Sequence, residues 1–132
     1  MSEDTYDDWM RRFQPRAAGE DDEEDPPGEG YRAYGLARSP REQVFMLEFR
    51  LRTGEVVAFG YPWLQRAGYD PSVGVTLHFS GARVEVRGRN LGKLFAAVSR
   101  HRVRWIGEAD RPTAQLAPDG EAVVTGLAVS DA

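Results

Sequence analysis

Two histidines are the side chains of this sequence best suited to proton transfer or metal binding near neutral pH. His78 and His101 stand 23 positions apart, and neither has a second ligand at the spacing of a metal site. His78 alternates with small polar residues, and His101 lies between two arginines whose charge disfavours its protonated form. We therefore interpret both as solvated surface residues, with a titrating role as the alternative.

Glu48 and Glu85 are the carboxylates whose surroundings the sequence defines best. Glu48 is followed at every second position by Arg50 and Arg52, and Glu85 lies between Arg83 and Arg87, which predicts charge pairs between adjacent antiparallel strands on a solvated sheet face. A catalytic carboxyl needs a desolvating pocket and a displaced pKa, and this pattern predicts neither. The sequence has no cysteine, no GxSxG elbow and no Walker-type phosphate loop. We therefore predict that the protein is not an enzyme and has no catalytic residue, metal site or cofactor.

The densest charged segment of the chain is basic and runs from residue 83 to residue 104. It holds six arginines and one lysine against a single acid, Glu85. Asn90 is predicted to cap a helix whose first turn contains Lys93, so that free backbone N–H groups and flanking cations would converge on a bound anion. Solvated arginines on a basic face are the alternative interpretation. The candidate residues for binding phosphate or nucleic acid are Arg87, Arg89, Asn90, Lys93, Arg102 and Arg104.

The spacing of apolar residues predicts the strands and the helix in which this basic segment lies. Residues 73–79 and 82–87 alternate between apolar and polar side chains around a turn at Ser80-Gly81, which is typical of a β-hairpin. The period then changes to apolar residues at i, i+3, i+4 and i+7, which are Leu91, Leu94, Phe95 and Val98. This spacing predicts an amphipathic helix at about 90–100. Renewed alternation predicts a strand at about 102–107.

Further strands are expected on either side of this region. Alternation over 44–61 predicts a second hairpin, with its turn at Thr53-Gly54 and its end at Pro62. A short lead-in strand is predicted around 32–36, and the valine-rich run at 122–129 predicts a closing edge strand. The two hairpins, the strand at about 102–107 and the closing strand make up a predicted sheet of five to six strands.

Two stretches are interpreted as connections. Residues 62–72 contain large side chains, such as Trp63 and Tyr69, that are expected to cover the end of the core or, alternatively, to face a ligand. Residues 110–120 carry turn signals at Arg111-Pro112 and at Pro118-Asp119-Gly120.

The first 30 residues differ in composition from the rest of the chain. They hold eleven acidic and three basic side chains, a formal charge of −8, whereas residues 31–132 carry +4. The acidic run and its neighbouring prolines and glycines predict a disordered linker at 16–30. Residues 1–15 contain a helical stripe that is expected to dock on its own domain or to bind a partner protein. The stripe consists of Tyr6, Trp9, Met10 and Phe13.

These observations predict an α+β protein with a single β-rich domain at 31–132. We expect a small bent antiparallel sheet or open barrel of five to six strands, packed by one amphipathic helix. A short N-terminal helix would be attached by a flexible acidic arm. The predicted function is a non-catalytic protein-interaction or regulatory module with an unknown protein partner. The alternative is a nucleic-acid or phosphate-binding module.

The composition also bears on where the protein is found. The sequence has no apolar run of the length that spans a membrane and no signal-peptide pattern at its start, so we expect a cytoplasmic protein. Arginine is abundant, whereas lysine occurs once, which indicates a bacterial genome of high GC content. The partner and the oligomeric state are not specified by the sequence.

Overall fold

The computed structural model describes residues 30–131, and from Arg32 onward these residues form one compact unit. Within this range the chain forms eight strands, two α-helices and one 3-10 turn at Tyr61–Trp63. In chain order the elements are β1 (Tyr34–Leu36), β2 (Met46–Arg50), β3 (Val56–Gly60), β4 (Leu64–Asp70), β5 (Gly74–Phe79), β6 (Ala82–Arg89), α1 (Gly92–Ser99), β7 (Val103–Gly107), α2 (Arg111–Leu116) and β8 (Val123–Asp131).

The strands of residues 30–131 form two sheets of four. The first sheet has the order β1-β7-β2-β3, and the second has the order β4-β5-β6-β8. Strand β2 pairs with β7 in parallel, and the other pairs are antiparallel. The prediction of an α+β fold with mainly antiparallel strands is therefore confirmed. The prediction of one sheet of five to six strands is wrong.

One of the additional strands lies in the stretch interpreted as a loop at 62–72. Strand β4 pairs with β5 and forms an edge of the second sheet. None of its seven residues is fully buried, so its side chains do not alternate in the way that reveals a strand. Trp63 stays 53% exposed, whereas Tyr69 stacks on Phe95 with 5.6 Å between ring centroids.

Phenylalanines from both sheets form the centre of the core. Phe49 of β2 and Phe79 of β5 are buried and meet edge to face, with 6.3 Å between ring centroids. Phe59 of β3 stacks on Phe79 at 4.8 Å. Aromatic pairs of this geometry are stabilising beyond the area that they bury. They hold the first sheet against the second.

Helix α1 lies within the segment for which an amphipathic helix was predicted, and it buries Leu94 and Val98 completely. Its start differs from the prediction, because Leu91 is the N-cap residue and no side chain caps the helix. Asn90 instead has a left-handed φ of 60°, a conformation that asparagine adopts more readily than most residues. Its side-chain amide donates to the carbonyl oxygen of Glu121 at 2.9 Å, so it shapes the turn before the helix.

Helix α2 occupies a stretch that was interpreted as a turn. The Asp110 side chain caps it by accepting a hydrogen bond from the backbone N–H of Thr113 at 2.8 Å, and Pro112 lies in its first turn. Six residues are too few to show a repeated apolar face, although an aspartate followed by a proline is a known helix-start signal. Neither helix of residues 30–131 has the length and apolar composition needed to cross a membrane.

The sequence predicts that Glu48 and Glu85 pair with arginines of adjacent strands, but each of them forms an ion pair with an arginine of its own strand. Glu48 contacts Arg50 at 2.7 Å, and Glu85 contacts Arg83 at 3.0 Å and Arg87 at 3.3 Å. Residues two positions apart on a strand share a face, which brings these groups together. The pairs are partly solvent-exposed, so each contributes about 1 kcal/mol at most.

Candidate interaction surfaces

The residues predicted to bind an anion do not all converge at the start of α1. Lys93 is exposed on α1, and Arg104 is half-buried on β7. Arg102 anchors the segment that leads into β2, because its guanidinium donates at 3.0–3.3 Å to three backbone carbonyls, those of Ser39, Pro40 and Glu42. These three cations and Asn90 line neither of the two clefts described next.

Arg87 and Arg89, at the end of β6, do lie together beside a pair of adjoining clefts. The arginine cleft has a volume of about 380 Å³, and its charged and polar lining consists of Arg52, Arg89, Asp110, Arg111, Gln115 and Thr125. The side cleft has a volume of about 370 Å³ and is lined by Ser72, Val73, Arg87 and Gly88. Arg89 and Thr125 line both clefts, so the two lie side by side.

The local packing explains why these clefts exist. The Arg89 guanidinium donates to the carbonyl oxygen of Ala114 at 2.8 Å, which ties α2 to the end of β6. Ala109 and Ala114 are buried beneath the arginine cleft, and their small side chains leave its volume unfilled. The pairing of β6 with β8 shifts register after Arg87, and a Cβ at Gly88 would collide there with the backbone of β8.

A buried carboxylate holds one wall of the arginine cleft. The Glu108 side chain is only 7% exposed and accepts hydrogen bonds from the backbone N–H groups of Arg52 at 2.9 Å and Leu127 at 3.3 Å. Its second contact with Arg52 is an ion pair with the guanidinium, at 3.7 Å. Glu108 therefore links the hairpin turn of the first sheet to β8 of the second sheet and fixes Arg52 at the cleft.

Asp110 is the carboxylate that lines the arginine cleft itself. Hydrogen bonds from the side chain and backbone of Thr113 lower the pKa of Asp110, and the positive charge of Arg52 lowers it further. The group is therefore ionised at neutral pH. The lining thus combines three guanidinium groups with one carboxylate, which leaves the cleft positively charged.

The sequence identified Arg87 and Arg89 as candidates but missed Arg52 and Arg111. Arg111 belongs to a helix that periodicity did not reveal, and Arg52 is separated from the basic segment by the whole of β3, β4 and β5. The cap signal at Asp110 would have placed Arg111 at a helix start. Nothing in the sequence places Arg52 near it, because the contact depends on the tertiary hydrogen bonds of Glu108.

A different surface is formed by β3, which is an open edge of the first sheet. No strand of residues 30–131 pairs with its outer side. The hydrogen bond from Tyr61 N–H to the carbonyl of Phe45, at 2.9 Å, fixes which residues of the hairpin bond to β2. Because bonded and non-bonded positions alternate in an antiparallel ladder, every second residue of β3 directs its N–H and C=O outward. These residues are Val56, Ala58 and Gly60.

The other three edge strands in the described part of the chain are short or carry charge. Strand β1 has three residues, β4 contains Arg66 and Asp70, and β8 ends in Asp131. Strand β3 reads VVAFG and has neither a charged residue nor a proline. Charges, prolines and shortness are the features by which edge strands usually avoid pairing with other chains. Strand β3 has no charge and no proline, and with five residues it is longer than β1.

Large apolar side chains flank this edge on the outward face of the β2–β3 hairpin. The apolar flank consists of Met46, Val56 and Trp63, which are 45%, 54% and 53% exposed. A Cβ at Gly60 would lie 2.7 Å from the Trp63 ring and 3.6 Å from the Met46 sulfur, so both side chains cover that glycine. The open edge is therefore bordered by apolar surface at the Gly60 end and by Val56 at the other.

The two histidines have separate surroundings. His78 is half-buried on β5, and His101 is exposed and stacks on Tyr61 with 4.4 Å between ring centroids. No three His, Cys, Asp or Glu side chains in residues 30–131 are grouped closely enough to hold a metal ion.

Neither the predicted partner-binding stripe nor comparison with known proteins adds information on the function. Tyr6, Trp9, Met10 and Phe13 lie outside the residues that the structure describes, so their role in binding a partner stays a prediction. No protein-family model, curated protein or solved structure matches the chain. The functional argument therefore depends on the geometry of the two surfaces.

Proposed function

We propose that this protein is a non-catalytic interaction module that associates by adding a strand to the open edge of β3, and that this strand comes from a second copy of the chain. The observation that supports the proposal is an uncharged, proline-free edge whose outward backbone groups have no partner strand in residues 30–131. An exposed edge of this kind is a template for pairing with another chain.

The register of β3 suits pairing with itself. In an antiparallel pair centred on Ala58, Val56 of one copy lies opposite Gly60 of the other. All three outward-facing residues of each copy are then hydrogen-bonded, and the two first sheets become one continuous sheet of eight strands. The two copies use the same surface, as in most homodimers. Because the strand is uncharged, no like charges meet across the two-fold axis.

The apolar flank supplies side-chain contacts for the same arrangement. Val56 of one copy would lie next to Gly60 of the other, where the Trp63 ring and the Met46 side chain already cover the sheet. Burying a large apolar side chain contributes about 1.5–3 kcal/mol. The backbone hydrogen bonds would set the register, and these side chains would supply most of the affinity.

Nucleic-acid binding has less structural support. Single-stranded nucleic acid is held by aromatic side chains on which bases stack, together with a basic groove. Neither the arginine cleft nor the side cleft has an aromatic residue in its lining. The geometry thus favours association through the β3 edge over recognition of a nucleic acid.

Sedimentation velocity over a wide range of protein concentration tests the proposal. We expect the full-length chain to dimerise and the Ala58→Pro variant to remain monomeric, because proline removes an outward-facing N–H and leaves the β2 ladder intact. The lost backbone bonds on both copies predict a dissociation constant higher by about tenfold to a hundredfold. Ala58→Ser is the matched control, because it keeps the N–H, and it should dimerise like the parent chain.

A second variant keeps the proposal testable if the Ala58→Pro chain does not fold. Val56→Lys places a charge at the exposed edge without changing any backbone donor, and it should also yield a folded monomer, as judged by circular dichroism. A parent chain that stays monomeric at every concentration would contradict the proposal. Dimers of equal strength in all four proteins would contradict it as well.

A further inference from the structure

We infer that the arginine cleft is a second, independent binding site, whose ligand is a small polyanion bearing phosphate or carboxylate groups. Arg52, Arg89 and Arg111 line it from three separate parts of the chain: the β2–β3 turn, the end of β6 and the start of α2. Arg87 adds a fourth guanidinium in the adjoining side cleft. The fold thus brings together cations that the sequence spreads over 60 positions.

The chemistry of the lining defines the class of ligand. A guanidinium group presents paired N–H donors that match the oxygens of a phosphate or carboxylate, and it binds them through two parallel hydrogen bonds. Arg89 is partly engaged by the Ala114 carbonyl, which holds its guanidinium in place and leaves further donors available. The Gln115 amide supplies a neutral donor in the same cleft, whereas the Thr125 hydroxyl already donates to the carbonyl oxygen of Arg87 at 3.3 Å. A ligand with several anionic oxygens fits this set of donors.

The volume of the cleft limits the size of that ligand. About 380 Å³ falls within the range of sites that bind small molecules, near its lower end. A compact di- or trianion is of the size that this volume accommodates, and Arg52, Arg89 and Arg111 all line it.

Asp110 provides the sharpest test, because it opposes such a ligand. Its carboxylate lines the cleft and is ionised, so it repels a bound anion. Replacing it with asparagine removes the charge and keeps a residue that caps helices equally well. Asp110→Asn should therefore bind the polyanion more tightly. A site in which the arginines merely pack against the protein would show no such gain.

Isothermal titration calorimetry of the full-length chain at low ionic strength tests the inference, with inorganic pyrophosphate and citrate as separate probes. We expect binding of at least one probe, about tenfold weaker binding by Arg111→Gln, and several-fold tighter binding by Asp110→Asn. The preferred probe distinguishes a phosphate ligand from a carboxylate ligand. Arg66→Gln is the matched control, because Arg66 is exposed on β4 and lines neither cleft.

The outcomes separate a built site from general attraction to basic surface. Binding that responds to Arg111→Gln and Asp110→Asn in opposite directions, and not to Arg66→Gln, supports the inference. Absence of binding by the parent chain to both probes overturns it, as does an equal loss in Arg66→Gln and Arg111→Gln. Amide chemical shifts of Thr125 and Gly88, followed during the titration, provide a second measurement that does not depend on the heat of binding.

Discussion

The open edge of β3 and the arginine cleft are two surfaces of one small β-domain, and they differ in what they offer a ligand. The edge presents backbone groups with no partner strand in residues 30–131, bordered by Met46, Val56 and Trp63, with no charge on the strand. The cleft presents three guanidinium groups around a concave volume of about 380 Å³. One surface is suited to another polypeptide backbone, and the other to a small anion.

Because of this difference, a rise in ionic strength should weaken binding at the cleft and should not weaken association through the edge. Salt screens the attraction between exposed charges, so binding at the cleft should weaken as ionic strength rises. Backbone pairing and apolar burial at the edge do not depend on charge, and salts that strengthen apolar burial should favour them. Different buried side chains position the two surfaces. Glu108 positions the cleft and Tyr61 positions the edge, so a substitution at either residue can alter one surface at a time.

Glu108→Ala should have the largest effect, and it should affect the cleft. The substitution removes the charged acceptor of the exposed Arg52 N–H and the partly buried Leu127 N–H, and it removes the ion pair to the Arg52 guanidinium. We expect the free energy of unfolding to fall by about 2–4 kcal/mol, measured by urea denaturation. Binding of pyrophosphate should weaken, whereas dimerisation through β3 should persist in conditions where the variant is folded.

A surface carboxylate serves as the control for this prediction. Glu121→Ala removes an exposed side chain and keeps the backbone groups of that residue, which bond to Asn90 and Pro118, so its effect should stay within about 0.5 kcal/mol. A loss of stability from Glu108→Ala no greater than that from Glu121→Ala would show that the buried carboxylate does not hold the cleft.

Tyr61→Phe should have the next largest effect, and it should affect the edge. The Tyr61 hydroxyl donates to the carbonyl of Val103 at 2.8 Å and accepts from its N–H at 3.2 Å, which ties the end of β3 to β7. Loss of both bonds in a buried site should lower the free energy of unfolding by about 1–3 kcal/mol. Dimerisation should weaken and binding at the cleft should be unchanged. Tyr69→Phe, at a partly exposed tyrosine, is the matched control and should change neither.

The burial and length of each element explain how much of the fold could be predicted from the sequence. The two hairpins were predicted at 44–61 and 73–87, because each buries one face and therefore alternates. Strand β4 was missed, because it lies at an edge with no residue fully buried. Helix α2 was missed, because six residues do not display a period. Prediction from periodicity succeeds where one face is buried and fails where an element is exposed or short.

The candidate sites follow the same rule. Arg87 and Arg89 were identified because they are dense in sequence, but Asn90, Lys93, Arg102 and Arg104 lie in other surroundings. Arg52 and Arg111 reach the cleft through tertiary contacts that no local pattern encodes. The open edge was also invisible in the sequence, because β3 alternates like any other hairpin strand. Its position as an outer strand depends on the parallel pairing of β2 with β7.

Alkaline pH offers a milder way to separate the two surfaces. Burial raises the pKa of Tyr61 above its ordinary value near 10.0, so the folded protein favours the neutral phenol. Its contribution to stability is therefore complete below pH 10 and is lost as the pH rises through the unfolded pKa toward the folded one. The melting temperature of the parent chain should fall over that range more steeply than that of Tyr61→Phe. Part of the fall persists in the variant, since burial raises the pKa of Tyr34 as well.

Acid pH should have the smallest effect, and it should act on the Asp110 cap beside the cleft and on Asp70, whose pKa is lowered by hydrogen bonds from Ser72. The pKa of Asp110 lies below the ordinary carboxyl value of 3.8, because Thr113 donates hydrogen bonds to the carboxylate and Arg52 adds its positive charge. A lowered pKa means that the cap stabilises α2 above pH 3.8 and loses this effect as the pH falls through the folded pKa. Asp110→Asn caps without titrating, so its stability should decline less with acid. If both proteins decline in parallel, the Asp110 cap contributes nothing to α2, and the wall of the cleft that α2 forms must be held by Arg89 instead.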